Sequence, residues 1–135
     1  MALPAPSTAR QPMHRRAVEI EAFQRDDGLY DLDARLSDVK TQPLELISGV
    51  REAGDPVHDL CLRITIDAGF TIVAVETGAY SVPNPGVCET VGPMYQRLVG
   101  LNLLRGFRKA VQSRVGRTDG CTHLSELSAL LPTVA

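Results

Sequence analysis

The chain is poor in aromatic residues and has no tryptophan. Only 4% of its 135 residues are aromatic, which disfavours RNA recognition by base stacking, because stacking needs exposed aromatic platforms. No run of lysine or arginine is longer than a pair, and the formal net charge is −2. The basic face of a nucleic-acid-binding protein is therefore not expected, and we predict no nucleic-acid partner.

Long hydrophobic runs and paired cysteines are also missing. No apolar stretch approaches the roughly 18 residues of a membrane-spanning helix, so we predict no membrane partner. The N-terminal residues lack the apolar centre of a secretory signal. The cysteines, Cys61, Cys88 and Cys121, are odd in number and widely spaced, which disfavours a disulfide framework and predicts a cytoplasmic protein.

The remaining composition is that of a folded protein, with 44% hydrophobic and 22% charged residues. Residues 1–12 are rich in alanine and proline and have no apolar period, which predicts a mobile N-terminal tail. Residues 13–135 are of a length that suits a single domain with an ordinary core.

Alternating hydrophobicity predicts strands up to about Tyr80. Apolar and charged residues alternate on both sides of Asp26-Asp27-Gly28, which is a hairpin signal. Residues 57–67 alternate again, and the turn Ala68-Gly69 leads into a further strand rich in β-branched residues. We expect an antiparallel sheet of about four strands, with residues 41–56 as a connector.

The pattern becomes helical after a segment rich in proline and glycine. From Met94, with Pro93 suited to a first helical turn, apolar residues recur at helical spacing as far as Val115. Gly116 is predicted to end this helix, and leucines from Leu124 onward predict a last one. Strands first and helices last make an α+β fold, with two C-terminal helices packed on one face of the sheet.

Four residues of metal-binding type lie near the boundaries of these elements: His58, Cys88, Cys121 and His123. Two thiolates and two imidazoles are a sound ligand set for Zn²⁺, although the spacing is not that of a zinc finger. Each residue also has a structural interpretation. His58 falls on the same face of its predicted strand as four aliphatic residues, so the pattern is equally consistent with a histidine in the core. Cys88 taken alone would more often be a small buried hydrophobic residue.

Other polar residues are assigned more ordinary roles. Cys61 is interpreted as structural, and the acidic residues at 26–33 as hairpin turn and exposed face. Asp38 and Asp59 stand apart from the other acids, because each lies within a strand pattern rather than at the tip of a turn.

The chain resembles a bacterial family known as domain of unknown function 2889. The resemblance lies in an ordered series of motifs: "HRR" at 14–16, "DDGLYDLDARLSDVK" at 26–40, "PVHDLCLRITID" at 56–67, "PNPGVC" at 83–88, "LVGLNLLRGF" at 98–107 and "GCTHLSEL" at 120–127. It implies that His58, Cys88, Cys121 and His123 belong to the family pattern and Cys61 does not. It also implies a setting of bacterial catabolism of aromatic or acyl-CoA compounds.

Three functions remain open. We favour a metal-dependent lyase or hydrolase acting on a small molecule, with Zn²⁺ or another divalent transition metal as cofactor. In that enzyme Asp59 would orient an imidazole or serve as acid and base, and Arg63 would bind a substrate carboxylate. The alternatives are a non-catalytic protein with a structural Cys/His zinc site and a metal-free enzyme with Cys121 as nucleophile and His123 or His58 as base. The exposed edges of a short sheet are compatible with a homo-oligomer.

Overall fold

A four-stranded antiparallel sheet forms the N-terminal part of the molecule in a computed structural model, which describes residues 2–83, 88–116 and 120–135, with the backbone alone for residues 88–90. The strand order is β1-β2-β5-β6. Between β2 and β5 along the chain, β3 and β4 form a separate two-stranded hairpin. The strands are β1 His14–Gln24, β2 Tyr30–Lys40, β3 Leu44–Leu46, β4 Gly49–Arg51, β5 Pro56–Ile66 and β6 Ile72–Ser81. The predicted sheet is therefore confirmed.

The turn between β1 and β2 is built as its sequence predicts. Gly28 has a φ of 86°, a left-handed conformation that glycine adopts without a steric penalty. The carboxylate of Asp27 accepts a hydrogen bond of 3.1 Å from the amide of Leu29. The hairpin register then runs without interruption from Gln24 opposite Tyr30 to His14 opposite Lys40.

One face of the sheet carries the core. Alternate residues of the two central strands point to this face and are at most 4% exposed: Leu32, Ala34, Leu36, Leu60, Leu62 and Ile64. Residues of the C-terminal helices pack against them, among them Phe107, Val111, Leu124 and Leu127. The prediction of helices on one face of the sheet is confirmed.

The predicted continuous helix from Met94 to Val115 is instead two elements. A 3-10 helix spans Cys88–Leu98, and α1 spans Phe107–Val115. Gly100 and Gly106 separate them, with φ angles of 92° and 61° that a right-handed helix excludes. Pro93 consequently lies inside the 3-10 helix rather than at its first turn.

The last helix, α2, spans Thr122–Leu130 and is followed by a 3-10 turn at Leu131–Thr133. In the described part of the chain, no helix is long and apolar enough to cross a membrane. Residues 2–12 are exposed and lie outside the sheet and the helices. The division into a mobile tail and a single domain remains a prediction.

Candidate metal centre

A polar row interrupts the apolar core face at one end of the sheet. Arg16 on β1 lies opposite Asp38 on β2, which lies opposite His58 on β5. Asp38 lies two residues after the buried Leu36 in β2. Because strand side chains alternate between the two faces of a sheet, Asp38 points to the same face as Leu36, which the helices cover. A register shift follows at Asp38/Val39, and such irregularities are frequent beside functional sites.

Asp38 is the centre of this row and is only 2% exposed. Its Oδ1 accepts a hydrogen bond of 2.9 Å from the backbone amide of His58 and lies 3.0 Å from Nδ1 of the same residue. Its Oδ2 accepts a hydrogen bond of 2.8 Å from the guanidinium of Arg16. Since an ionised carboxylate can only accept, Nδ1 of His58 carries the proton in this contact, and Nε2 is the ring nitrogen that does not face Asp38.

These contacts keep Asp38 ionised. Burial, the largest single effect, raises the pKa of its carboxyl, but hydrogen bonds from Arg16 and His58 together outweigh burial and lower the pKa to about 2 from the usual 3.8. The side chain is therefore a buried anion at neutral pH, beside two imidazoles and a guanidinium.

The lowered pKa of Asp38 predicts acid-sensitive folding. Because the folded state holds this proton less tightly than the unfolded state, the stabilisation is present above pH 4 and is lost as the pH falls through about 2. The shift corresponds to about 2 kcal/mol of unfolding free energy. Urea unfolding of chelator-treated protein between pH 5 and pH 2 should show this loss, and Asp38→Asn should lack it. An equal loss in Asp38→Asn would contradict the assignment.

His123 reaches the row from the first turn of α2. Its ring lies over that of His58, with centroids 3.8 Å apart and planes at 32°. One ligand atom from each of Asp38, His58 and His123 lies within 4.8 Å of the others. Burial, followed by the charges of His58 and Arg16, lowers the pKa of His123, so its imidazole is neutral with a free lone pair at neutral pH.

A buried tyrosine fixes the start of α2. Tyr95 is fully buried, and its hydroxyl accepts a hydrogen bond of 3.0 Å from the amide of Cys121. The same hydroxyl lies 2.7 Å from the carbonyl of Cys121 and 2.9 Å from Oγ of Ser125. The Tyr95 contacts therefore tie the N-terminus of α2 to the 3-10 helix and set the position from which His123 extends.

Of the two cysteines predicted as metal ligands, the structure describes the side chain of Cys121 but not that of Cys88. Cys121 is the N-cap residue of α2, and its Sγ lies 4.0 Å from Nδ1 of His123. Cys88 is the first residue of the 3-10 helix, but its side chain lies outside the described part of the structure. The structure thus brings His58 and His123 together with Asp38, whereas Cys121 lies beside His123 and lines the same cavity but is not among the converging ligand atoms. Asp38 continues the alternating series Leu32, Ala34 and Leu36 on the buried face of β2. This alternation is the sequence signal that could have placed Asp38 in the site.

Asp59 and Arg63 lie on the opposite face of the sheet from His58. Asp59 accepts two hydrogen bonds of 2.7 Å from Arg35, and Arg63 donates bonds of 2.7 and 2.8 Å to Asp33. This geometry leaves Asp59 unable to orient either imidazole, and Asp38 orients His58 instead. Arg63 lines a different cavity of about 370 Å³ on the outer face, so the structure does not bring it to the imidazoles.

A cavity of about 430 Å³ adjoins the imidazoles. His58, Cys121 and His123 supply its polar and sulfur-containing wall. Much of its other surface is apolar, with Leu60, Val82 and Leu124 in the lining. An apolar space with a few convergent polar groups is the usual form of a small-molecule site.

Comparison with models of protein families gives a match over residues 14–135 to a family described as "Protein of unknown function (DUF2889)". The matched range includes every strand and helix described above. No functionally curated protein and no solved structure matches the chain.

Proposed function

The chain belongs to the DUF2889 family of proteins of unknown function, and we propose that it is a metal-dependent enzyme acting on a small organic molecule. The observation that carries this proposal is the convergence of Asp38, His58 and His123, from two strands and a helix, within 4.8 Å. Two imidazoles, one of them oriented by a buried carboxylate, are a common arrangement at divalent transition-metal sites.

Each residue has a distinct part in the proposed site. His58 would bind through Nε2, because Nδ1 faces Asp38, and a carboxylate behind a metal-bound histidine fixes its orientation. His123 supplies the second imidazole. Asp38 would remain behind His58, because its two oxygens are engaged by His58 and Arg16. Cys121, whose Sγ lies 4.0 Å from Nδ1 of His123, and Cys88 are the further ligands that the sequence predicts for Zn²⁺ or Fe²⁺.

The spacing of the ligand atoms suits a single ion after small movements. Metal–nitrogen bonds of about 2.0–2.1 Å place two ligands of a tetrahedral ion roughly 3.3–3.5 Å apart. The three residues each offer a ligand atom within 4.8 Å of the others, so side-chain rotations that move atoms by about 1 Å would bring the two imidazoles onto one ion. His58, Cys121 and His123 all line the cavity, so a position left open on the ion would face a bound molecule.

The cavity lining favours a compound with an apolar body and one polar group directed at the imidazoles. When bound, the metal would act as a Lewis acid that polarises a carbonyl or activates water, which is the chemistry of a hydrolase or lyase. Aromatic and acyl compounds fit this description, in keeping with a role in bacterial catabolism. We place the reaction in the cytoplasm, since odd and widely spaced cysteines suit a reducing compartment.

The test is turnover on a panel of aromatic and acyl esters, amides and hydroxy acids. We expect activity that chelation abolishes and added metal restores. Ala79→Phe should reduce it at least about tenfold by filling the cavity, with metal content unchanged. Ala74→Phe is the matched control, because Ala74 is exposed on the same strand away from this cavity. Bound metal with neither turnover nor ligand binding would favour the structural zinc site.

Metal-free thiol chemistry is the second candidate, and the 4.0 Å separation of Cys121 Sγ and His123 Nδ1 favours it. In this mechanism the sulfur of Cys121 attacks an acyl carbonyl and an imidazole accepts the thiol proton. The bond to the alcohol or amine then breaks, the leaving group takes that proton, and water hydrolyses the resulting thioester. Alkylation of Cys121 would then abolish activity in protein that contains no metal. Cys61→Ser is a suitable background for this experiment, because it removes the thiol on the other face of the sheet.

A further inference from the structure

β1 is an exposed edge of the main sheet. Its paired strand is β2 on one side, and within the described residues no strand lies on the other. At the opposite edge of the sheet, backbone groups of β6 form hydrogen bonds with residues that follow it in the chain. Gln96 of the 3-10 helix donates a hydrogen bond to the carbonyl of Val75, and the backbone of Ile72 bonds with Gly100 and Leu101.

The backbone groups on the open edge of β1 belong to the even-numbered residues. The amide of Thr41 donates to the carbonyl of Met13, and that of Arg25 to the carbonyl of Leu29, so odd positions of β1 bond to β2. Because hydrogen-bonding residues alternate in an antiparallel pair, the N–H and C=O groups of the even positions point outward. These positions are His14, Arg16, Val18, Ile20, Ala22 and Gln24.

The strand lacks most of the devices that protect an edge from pairing. It is 11 residues long, contains no proline and keeps an unbroken register with β2. Its charged residues would protect the edge if they were of one sign, because like charges would repel a second copy. They are of both signs, with Arg15 and Arg16 in the first half and Glu19 and Glu21 in the second.

We propose that β1 pairs antiparallel with β1 of a second copy and joins two sheets into one of eight strands. A two-fold axis at Val18 places Arg15 opposite Glu21 of the other copy, twice in the dimer, and Glu19 opposite Ala17. It also covers the side chain of Val18, which is 39% exposed in the monomer. About ten backbone hydrogen bonds would form across the junction, two for each outward-facing pair.

The register follows from the charges. An axis at Glu19 would overlap the whole strand but would set Glu19 directly opposite its own copy, which is unfavourable. The odd-numbered pairs are those without hydrogen bonds across the new junction, where opposing side chains approach most closely. The Arg15 and Glu21 contact is therefore the pair on which the register depends, and this dimer is independent of the metal.

Charge exchange on the full chain tests the proposal, with molar mass measured by sedimentation from about 1 µM to about 1 mM. The native chain should dimerise. Arg15→Glu and Glu21→Arg should each weaken the dimer at least about tenfold, and the double variant should restore it. Glu19→Arg is the matched control and should have little effect, because Glu19 faces an alanine. Val18→Pro should abolish dimerisation without unfolding, since the side chain of Val18 is 39% exposed and its N–H points outward at the proposed axis.

Several results would overturn the proposal. These are a native chain that is monomeric throughout, a double variant as weak as either single variant, or a dimer that survives Val18→Pro. Monomeric protein that binds an added β-strand peptide along β1 would assign the edge to a different partner and also reject the self-pairing.

Discussion

Replacement of His123 by alanine is expected to lower the affinity for a divalent transition metal by more than about a hundredfold. Loss of a residue that only orients a ligand already costs about 10–100-fold, and His123 supplies a ligand atom itself. His58→Ala should have an effect at least as large, because it removes a ligand and also the group that Asp38 orients. Competition with a chromogenic chelator measures both affinities.

His14→Ala is the matched control for these variants. His14 also lies near Asp38, with Nε2 3.5 Å from Oδ2, but its side chain is 38% exposed and it belongs to the β1 edge. We expect its metal affinity to stay within about threefold of the native value, because it is not among the converging ligands. Equal losses in His14→Ala and His123→Ala would show a general effect of histidine content and contradict the proposed site.

Asp38→Ala is expected to lower the free energy of unfolding by about 2–4 kcal/mol in chelator-treated protein. Removing one member of a buried ion pair costs about 3–5 kcal/mol, because the remaining charge loses its partner inside the protein. Arg16 is 38% exposed and can recover some hydration, which moves the expected value to the lower end. The amide and Nδ1 of His58 would lose their acceptor as well.

Asp33→Ala provides the comparison on the same strand. Asp33 also accepts two hydrogen bonds from an arginine, Arg63, but both side chains are at least 35% exposed on the outer face. Exposed ion pairs contribute about 0–1 kcal/mol, so the loss should be at most about 1 kcal/mol. Urea denaturation of both variants distinguishes the two sites, and losses of equal size would contradict the buried role of Asp38.

The strands could be predicted from sequence because their signals are local. Alternation around Asp27-Gly28 and the turn at Ala68-Gly69 fix the hairpins within a few residues. The helix from Met94 could not be predicted correctly, because its apolar spacing continues through Gly100 and Gly106. The break between the two helices depends on the hydrogen bonds that Gly100 and Leu101 form with the backbone of Ile72. Ile72 is distant from them in sequence, so a local pattern does not show these bonds.

The candidate site was only partly predictable for the same reason. His58 and His123 could be selected by residue type, but their stacking depends on the packing of α2 over β5. The sequence predicts Asp59 beside His58 because the two residues are neighbours in the chain, but adjacent residues of a strand face opposite sides of a sheet. Asp38 shares the face of His58, and only the pairing of β2 with β5 shows that the two residues are opposite each other.

The most direct measurement is the metal content of the native protein, purified without added metal and analysed by elemental mass spectrometry beside His123→Ala and Cys121→Ser. The proposal predicts close to one equivalent of zinc or iron in the native protein and a loss of that metal in His123→Ala. A smaller loss is expected in Cys121→Ser. Folded, reduced native protein that holds no metal and binds none when Zn²⁺ or Fe²⁺ is supplied would contradict the proposed metal site.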